Sequence, residues 1–253
     1  MSAALWHEVQ ALQEQGRDSE ALRLCEAVLR HDPNGFDALY LSGFLLLRLR
    51  RAQDAATLIE RAVIANPASL DAWYHLGVAY LQSERFWDSI KAFDKVLQLH
   101  AGVAEAWNNR GIAFLAMGIL AEALESFHKA IALGAGTAST YNHRANVFAA
   151  LKRFPEAAAD YEAALAQESD YPYACGNAFF ARLQACDWRD LTRLQGELQD
   201  ALQRGRPVLQ PGASLALPLH PQAQLQCARL WAEREVPPQP PFWQGEQIGR
   251  AHV

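Results

Sequence analysis

Apolar residues recur at helical spacing through most of the chain, in pairs of short segments separated by polar turns. In one such pair, Trp73, Leu76 and Tyr80 fall on one face of the first segment. Phe93 and Val96 fall on one face of the second segment. Each pair is too short to bury its apolar face alone, because two helices of this length leave one side uncovered. The pattern therefore predicts pairs of helices that stack on one another.

The pairs repeat at one constant interval, the step from Trp73 to Trp107, which we call the repeat interval. Small residues, with Val96 as the exception, occupy three of the repeated positions, and aromatic residues occupy the other two. Small side chains let two helices approach closely, and the aromatic rings fill the space beside them. The repeated positions are Gly43, Gly77, Gly111 and Ala145; Ala21, Ala55, Ser89, Ala123 and Ala157; Phe93, Phe127 and Tyr161; Ala62, Val96, Ala130 and Ala164; and Trp73, Trp107 and Tyr141. The sequence predicts an all-α fold, a right-handed α-solenoid of helix pairs.

Helix–turn–helix units of ~34 residues, with this order of Trp, Gly, Ala, Phe and Pro, resemble tetratricopeptide repeats. The first unit is the weakest match and keeps mainly Leu12, Ala21 and Pro33. After the repeats we expect a divergent sixth helix pair, and then a loop and a helix. The expected segments are repeats at 2–35, 36–69, 70–103, 104–137 and 138–171, the sixth pair at 172–205, and the loop and helix at 206–236.

Composition and charge exclude several classes of function. The 253 residues are 51% hydrophobic and carry a net charge of −5, which gives no electrostatic reason to bind nucleic acid or an anionic membrane. No run of about 18 apolar residues exists, so we expect no transmembrane helix. The four cysteines form no Cys-x-x-Cys pair and follow no signal peptide. We therefore expect free thiols and a cytoplasmic protein.

A polar register runs along the first helix of successive repeats. Helix interiors disfavour asparagine, because its amide competes with the backbone for hydrogen bonds, so its recurrence suggests a function. An amide donates and accepts at once, and a row of amides on the concave face can hold the main chain of an extended peptide. The alternative is that these side chains only bond the backbone of the neighbouring repeat. The predicted peptide-binding residues are His75, Asn108, Asn109, Asn142, His143, Asn146 and Asn177.

Acidic residues recur at the start of the first helices. Asp37, Asp71 and Glu105 follow one another at the repeat interval. A negative charge near a helix N-terminus interacts favourably with the helix dipole, so we expect these residues to stabilise their helices.

The triplet Cys186, Asp187 and Trp188 (the Cys-Asp-Trp joint) lies where the repeat pattern degrades. Chemistry at Cys186 would need a nearby base that the sequence does not supply, so we predict no catalytic residue. We expect a packed thiol at Cys186, a helix N-cap at Asp187, and a Trp188 ring packed against the last repeat. We predict no metal site either, because His75 and His143 lie two repeats apart and neighbouring helices are ~8–10 Å apart.

The order of elements around the joint resembles the protein O-GlcNAc transferase family. The repeats and the joint are followed by a helix, then by "GRPVLQPGASLALPL" and "AQLQCARLWAER". The resemblance implies transfer of N-acetylglucosamine from UDP-GlcNAc to serine or threonine of intracellular proteins, with the repeats recruiting substrates through an asparagine ladder. Animal members have a histidine-rich stretch where this chain has Gln210 to Ala213, so no catalytic role is carried over.

Residues 237–253 read as a proline-rich linker, and residues 248–253 match the translation of a sequencing adapter. We therefore expect a chain truncated before a catalytic domain, inactive alone and without a cofactor, with UDP-GlcNAc as donor only if that domain is present. The first hypothesis is the substrate-recruiting part of such a glycosyltransferase. The alternative is a stand-alone adaptor or scaffold. Both bind extended or disordered protein segments, and the oligomeric state stays open.

Overall fold

The structure is a computed structural model, and it describes residues 3–215, 217 and 219–235. The described part of the chain consists of α-helices and contains no strand, which confirms the all-α solenoid of helix pairs. The chain divides into two compact units, one up to Arg153 and one from Phe154 onward, and each is described by itself. The expected proline-rich linker at 237–253 and the adapter-like residues 248–253 lie outside the described residues.

The described residues of the first unit form helices α1 to α9. Consecutive helices pack as antiparallel neighbours, and α3, α5, α7 and α9 also lie side by side. The bounds are α1 (Ala3–Glu14), α2 (Asp18–His31), α3 (Phe36–Arg48), α4 (Ala52–Ala65), α5 (Leu70–Gln82), α6 (Phe86–Leu99), α7 (Ala104–Ala116), α8 (Leu120–Ala132) and α9 (Ala138–Ala150). From α3 to α9, the first helix of each repeat therefore contacts the first helix of the next repeat.

The glycine and phenylalanine registers form the contact inside each helix pair. Gly77 lies against the ring of Phe93, and a Cβ there would come within 2.7 Å of a ring carbon. Gly111 lies against Phe127 in the same way, at 2.8 Å. Both phenylalanine side chains are completely buried. The absence of a glycine side chain thus lets the aromatic ring fill the core of the pair.

The turn inside each repeat uses one residue in a left-handed conformation. These residues are Gly16 (φ 72°), Arg50 (φ 61°), Glu84 (φ 59°), Gly118 (φ 72°) and Lys152 (φ 58°). In every case the N–H of the next residue donates to a carbonyl five residues earlier, as from Arg85 to Tyr80 at 2.8 Å. A left-handed residue ends an α-helix and satisfies its last carbonyls. The left-handed backbone conformation of the turns therefore also recurs at the repeat interval.

The described residues of the second unit form α10 (Phe154–Gln167), α11 (Ala174–Gln184), α12 (Leu191–Gln203), α13 (Pro211–Leu215) and α14 (Pro221–Glu235). The segment before α13 crosses the start of α11 at Gly176, which lies against Val208 and Leu209. The N–H of Tyr173 donates to the carbonyl of Pro207 at 2.9 Å. Val208 and Leu209 are buried there, so this segment completes the core of the unit.

The structure corrects two expectations about the Cys-Asp-Trp joint. Cys186 is exposed, not packed, and its φ of 53° makes it the left-handed residue of the turn. It lies one repeat interval after Lys152, in the same turn register. The Trp188 side chain is 67% exposed and does not pack against the last repeat. The joint is therefore the turn of the sixth helix pair, and its first residue has the conformation that all such turns require.

The expected N-cap at Asp187 is also wrong. Helix α12 begins at Leu191, after Asp190, whose side chain makes no capping hydrogen bond. The Asp187 carboxylate instead accepts hydrogen bonds from Arg189 at 2.8 Å and from Arg182 at 3.1 Å. The hydrogen bonds from Arg189 lower the pKa of Asp187 to about 2. Because both arginines occupy this carboxylate, it is not available to cap a helix.

Candidate functional site

The predicted peptide-binding residues of the first unit lie on α5, α7 and α9. We call the surface of α3, α5, α7 and α9 that carries them the ladder face. It comprises the predicted His75, Asn108, Asn109, Asn142, His143 and Asn146, with Tyr40 and Tyr74 beside them. These side chains are half-buried, because the neighbouring first helices cover part of each one.

Tyrosine hydroxyls connect successive repeats along the ladder face. The hydroxyl of Tyr40 lies 3.1 Å from Nδ1 of His75, and the amide of Asn109 donates to the hydroxyl of Tyr74 at 3.1 Å. Each bond joins a residue to the residue 35 positions later, on the next first helix. His75 and Asn109 therefore hold neighbouring repeats together, through side chains and not through the backbone of the neighbour.

The tyrosines belong to a register that the sequence shows at Tyr74, Asn108 and Asn142, and that extends back to Tyr40 and Trp6. Trp6, Tyr40, Tyr74, Asn108 and Asn142 follow one another at the repeat interval. An aromatic residue fills this position in the first three repeats and an asparagine in the next two. The signal was available in the sequence, because the same interval defines it. The change from tyrosine to asparagine removes the hydroxyl that would reach the next helix.

The two asparagines are left incompletely bonded. Asn108 donates a long hydrogen bond of 3.4 Å to Asn109. The amide oxygens of Asn108 and Asn142 are both buried, and no hydrogen-bond partner exists for them among the described residues. A buried acceptor without a partner costs about 1–3 kcal/mol, so such atoms are rare in stable proteins. These two oxygens are the unsatisfied acceptors of the ladder face.

Two histidines on the ladder face lie against aromatic rings. The rings of Tyr40, Phe44 and Tyr74 lie 5.0–5.7 Å from that of His75. Nδ1 of His75 lies 2.8 Å from the carbonyl of Asp71, and a carbonyl only accepts, so this nitrogen carries the proton. Burial lowers the pKa of His75, and the nearby Asp71 opposes that shift.

His143 has a similar environment. Its ring stacks on Phe127 with 5.9 Å between centroids, and its Nδ1 lies 3.4 Å from the hydroxyl of Ser139. Burial lowers the pKa of His143 below its ordinary value. Both histidines of the ladder face are therefore neutral at pH 7.

These lowered pKa values predict that acid destabilises the first unit. The unfolded histidines bind protons near their ordinary pKa of ~6.5, whereas the folded ones resist protonation to lower pH. The stabilisation is present above that pKa and is lost as pH falls below it towards the folded values. We expect the melting temperature to decrease from pH 7 to pH 5, and the decrease to be smaller in a His75→Gln, His143→Gln variant. Equal pH dependence of the two proteins would contradict this assignment.

The two remaining ladder residues have different environments. Asn146, on α9, already takes part in an interaction within the structure. Asn177 lies on α11 in the second unit and is half-buried. Its backbone N–H donates to the carbonyl of Tyr173. The structure therefore brings Asn108 and Asn109 into contact with each other and His75 and Asn109 into contact with the preceding repeat.

The described residues offer neither a metal cluster nor a helix suited to a bilayer. Across residues 3–215, 217 and 219–235, no group of three or more His, Cys, Asp or Glu side chains lies close enough to hold a metal ion. Among those same residues, no helix combines the length and apolarity that a bilayer crossing requires.

Stacked helix pairs with small residues at the crossings and a polar face on the first helices define an α-helical repeat protein of the kind that binds other proteins. Family models described as tetratricopeptide repeats match residues 8–58, 44–103, 104–133 and 137–166. Together they cover more than half of the chain, and the chain belongs to the tetratricopeptide repeat proteins. No curated protein matches the chain.

Solved structures with the same fold include MamA. A crystal structure of MamA is 23% identical and aligns with a TM-score of 0.60 over 67% of this chain and 96% of that chain. MamA from residue 41 to its end, from Desulfovibrio magneticus RS-1, is 21% identical with a TM-score of 0.62, over 66% and 95%. At this identity the likeness shows the fold alone. The matched family models end before Cys186, so they support the repeats and do not single out the O-GlcNAc transferase family.

Proposed function

We propose that this protein is an adaptor or scaffold that binds extended segments of partner proteins along its ladder face. Tetratricopeptide repeats bind protein partners, and the stacked first helices of this chain present one continuous row of half-buried polar and aromatic groups. An extended segment suits such a row, because its main chain offers donors and acceptors at regular intervals.

The observation that carries the proposal is the pair of buried amide oxygens on Asn108 and Asn142. Each lacks a partner among the described residues, and each occupies the same position of successive repeats. Each of the two side chains is half-buried, so a turn of its amide group would bring the oxygen to the surface, where a main-chain N–H of a bound segment would supply the missing donor and remove the cost of the unpaired acceptor. His75 and Asn109 contribute less to this binding, because each already bonds to a tyrosine hydroxyl.

The proposal predicts opposite effects on binding and on stability. Asn108→Ala with Asn142→Ala should weaken the binding of an unstructured Ser/Thr-rich polypeptide about tenfold, since each lost hydrogen bond is worth ~0.5–1.5 kcal/mol. The same variant should melt at the same temperature or higher, because it removes two buried unpaired acceptors. Fluorescence anisotropy and a thermal melt measure the two effects.

Asn34→Ala provides the matched control, because Asn34 is exposed in the loop between α2 and α3. It should change neither property. Unaltered affinity in the double variant would show that the asparagines do not bind the partner.

A second proposal concerns what the repeats serve. The order of elements from Cys186 to Arg234 supports the hypothesis that they recruit substrates to a sugar-transferring domain of O-GlcNAc-transferase type. UDP-GlcNAc would be the donor of that domain. Sequencing the genomic DNA beyond residue 247 tests it: a long reading frame with glycine-rich strand–helix turns supports recruitment, and a stop codon supports a stand-alone adaptor.

A further inference from the structure

The cationic side chains on α3, α5 and α7 are all paired with carboxylates of other helices. Arg48 lies 2.9 Å from Asp18, and Arg110 lies 2.7 Å from Asp94. These are the only arginine or lysine residues on the three helices. They leave no free positive charge there.

The acidic side chains on the same helices are unpaired. Asp37, Asp71 and Glu105 are exposed, and among residues 3–215, 217 and 219–235 no cation forms an ion pair with them. Three free carboxylates therefore follow one another along α3, α5 and α7 at intervals of one repeat. Their position in the first turn stabilises each helix, but that role does not use the charge on the solvent side.

Two of these carboxylates lie one helical turn before the residues that contact the tyrosines of the ladder face, Asp71 before His75 and Glu105 before Asn109. Burial, and after it the charge of Asp71, raises the pKa of Tyr40 to about 12. The charge of Glu105 likewise adds to burial in raising the pKa of Tyr74, against the hydrogen bond from Asn109. Both pKa directions agree with a carboxylate on the same stretch of helix as the residue that contacts the tyrosine of the preceding repeat. We call Tyr40, Asp71 and His75 the first acidic junction, and Tyr74, Glu105 and Asn109 the second.

A carboxylate beside an aromatic ring is a favourable site for a cation, which gains both a charge-assisted hydrogen bond and an attraction to the ring. The two junctions are one repeat apart, so their separation is that of neighbouring packed helices, ~8–10 Å. A segment in the polyproline II conformation has three residues per turn and a rise of ~3.1 Å, which puts residues i and i+3 on one side at about 9 Å. The two spacings agree.

We propose that the two acidic junctions bind two lysine or arginine side chains placed three residues apart in an extended partner segment. The proposal rests on the proposed function and adds the chemistry of the partner. The following repeat has Asn108 and Ser139 at the corresponding positions, so it offers no third carboxylate there. The segment is therefore recognised by its cationic side chains at α3, α5 and α7, and through its main chain at Asn108 and Asn142.

The test uses the complete chain and three fluorescein-labelled decapeptides in low salt. The first, Gly-Pro-Pro-Lys-Pro-Pro-Lys-Pro-Pro-Gly, has lysines at i and i+3; the second has the same composition with adjacent lysines; the third has glutamates in place of lysines. We expect the first to bind most tightly and the third most weakly. Asp71→Asn with Glu105→Gln should weaken the first peptide roughly fivefold, and 0.5 M salt should reduce the difference.

Glu122→Gln is the matched control, since it removes a first-turn carboxylate from α8 instead of a first helix. It should leave the affinity unchanged. Equal affinity of the lysine and glutamate peptides, or no effect of the double variant, would overturn the proposal. So would the failure of all three peptides to bind. If the Ser/Thr-rich polypeptide still binds through Asn108 and Asn142, only the cationic specificity is wrong; if it does not, the proposed function fails too.

Discussion

Replacing Phe127 with alanine lowers the free energy of unfolding of the first unit by ~3–5 kcal/mol, the cost of emptying a buried aromatic site. The ring is completely buried, lies against Gly111 and stacks on His143. Glycine has no side chain that could move into the cavity, so the surroundings cannot refill it. We expect this loss of stability to be larger than that of any other single substitution described for this protein.

Urea denaturation followed by circular dichroism measures the loss. Leu133→Ala is the matched control, because Leu133 follows α8 and is 45% exposed. A surface truncation of this kind changes stability by ~0.5 kcal/mol or less. If the two variants lost similar stability, the packing of the repeat around Phe127 would be wrong.

The second large effect is expected at Gly176. A Cβ at this position would overlap the carbonyl oxygen of Val208 and the side chain of Leu209. A backbone carbonyl cannot rotate away, so the segment must move and the buried Val208 and Leu209 side chains lose contacts. We expect Gly176→Ala to destabilise the second unit by about 3 kcal/mol, at the upper end for an overpacked core.

Gly196→Ala supplies a control of the same chemistry. Gly196 lies inside α12, and a Cβ there would meet no atom within 4 Å. Alanine favours a helix over glycine by ~1 kcal/mol, so this variant should be more stable than the parent. If Gly176→Ala destabilises the protein and Gly196→Ala stabilises it, the loss of stability comes from the close contact of residue 176 with Val208 and Leu209. If both substitutions change stability in the same direction, that close contact is wrong.

The sequence predicted the helix pairs because their packing is periodic. Each of Phe93, Phe127 and Tyr161 is buried, as are the small residues that share their interval. One local rule, a small residue opposite a ring, applies in successive repeats, so it is visible without knowledge of distant contacts. The repeat interval therefore predicts which residues are buried more reliably than the type of any single residue does.

The side-chain environments of the Cys-Asp-Trp joint could not be predicted, because they depend on contacts that do not recur from repeat to repeat. The backbone at Cys186 obeys the turn register, but the Asp187 side chain depends on Arg182 and Arg189. Those arginines have no equivalent pattern in the other repeats. Sequence reasoning assigned burial to Trp188 from its residue type alone, and the structure places it in solvent.

The ladder face was predicted in part. The recurrence of His75 and Asn109 placed them on successive first helices, which lie side by side in the structure, and that these residues bind a peptide stays a prediction. The hydroxyls of Tyr40 and Tyr74 engage both residues, which sequence reasoning did not anticipate because the bonds join positions 35 apart. The free acceptors are on Asn108 and Asn142, one position earlier in each repeat than Asn109 and His143.

The position of Cys186 in a turn also gives the protein one thiol that differs from its others. Cys25 and Cys227 are buried, and burial raises the pKa of the half-buried Cys175 to about 11, which keeps it protonated. Cys186 is exposed. Because thiol reagents attack accessible thiolates, a maleimide dye applied to the folded protein attaches at Cys186 first. The native sequence thus contains a single preferred attachment point for a fluorophore, close to Trp188 and on a different helix pair from Asn108 and Asn142.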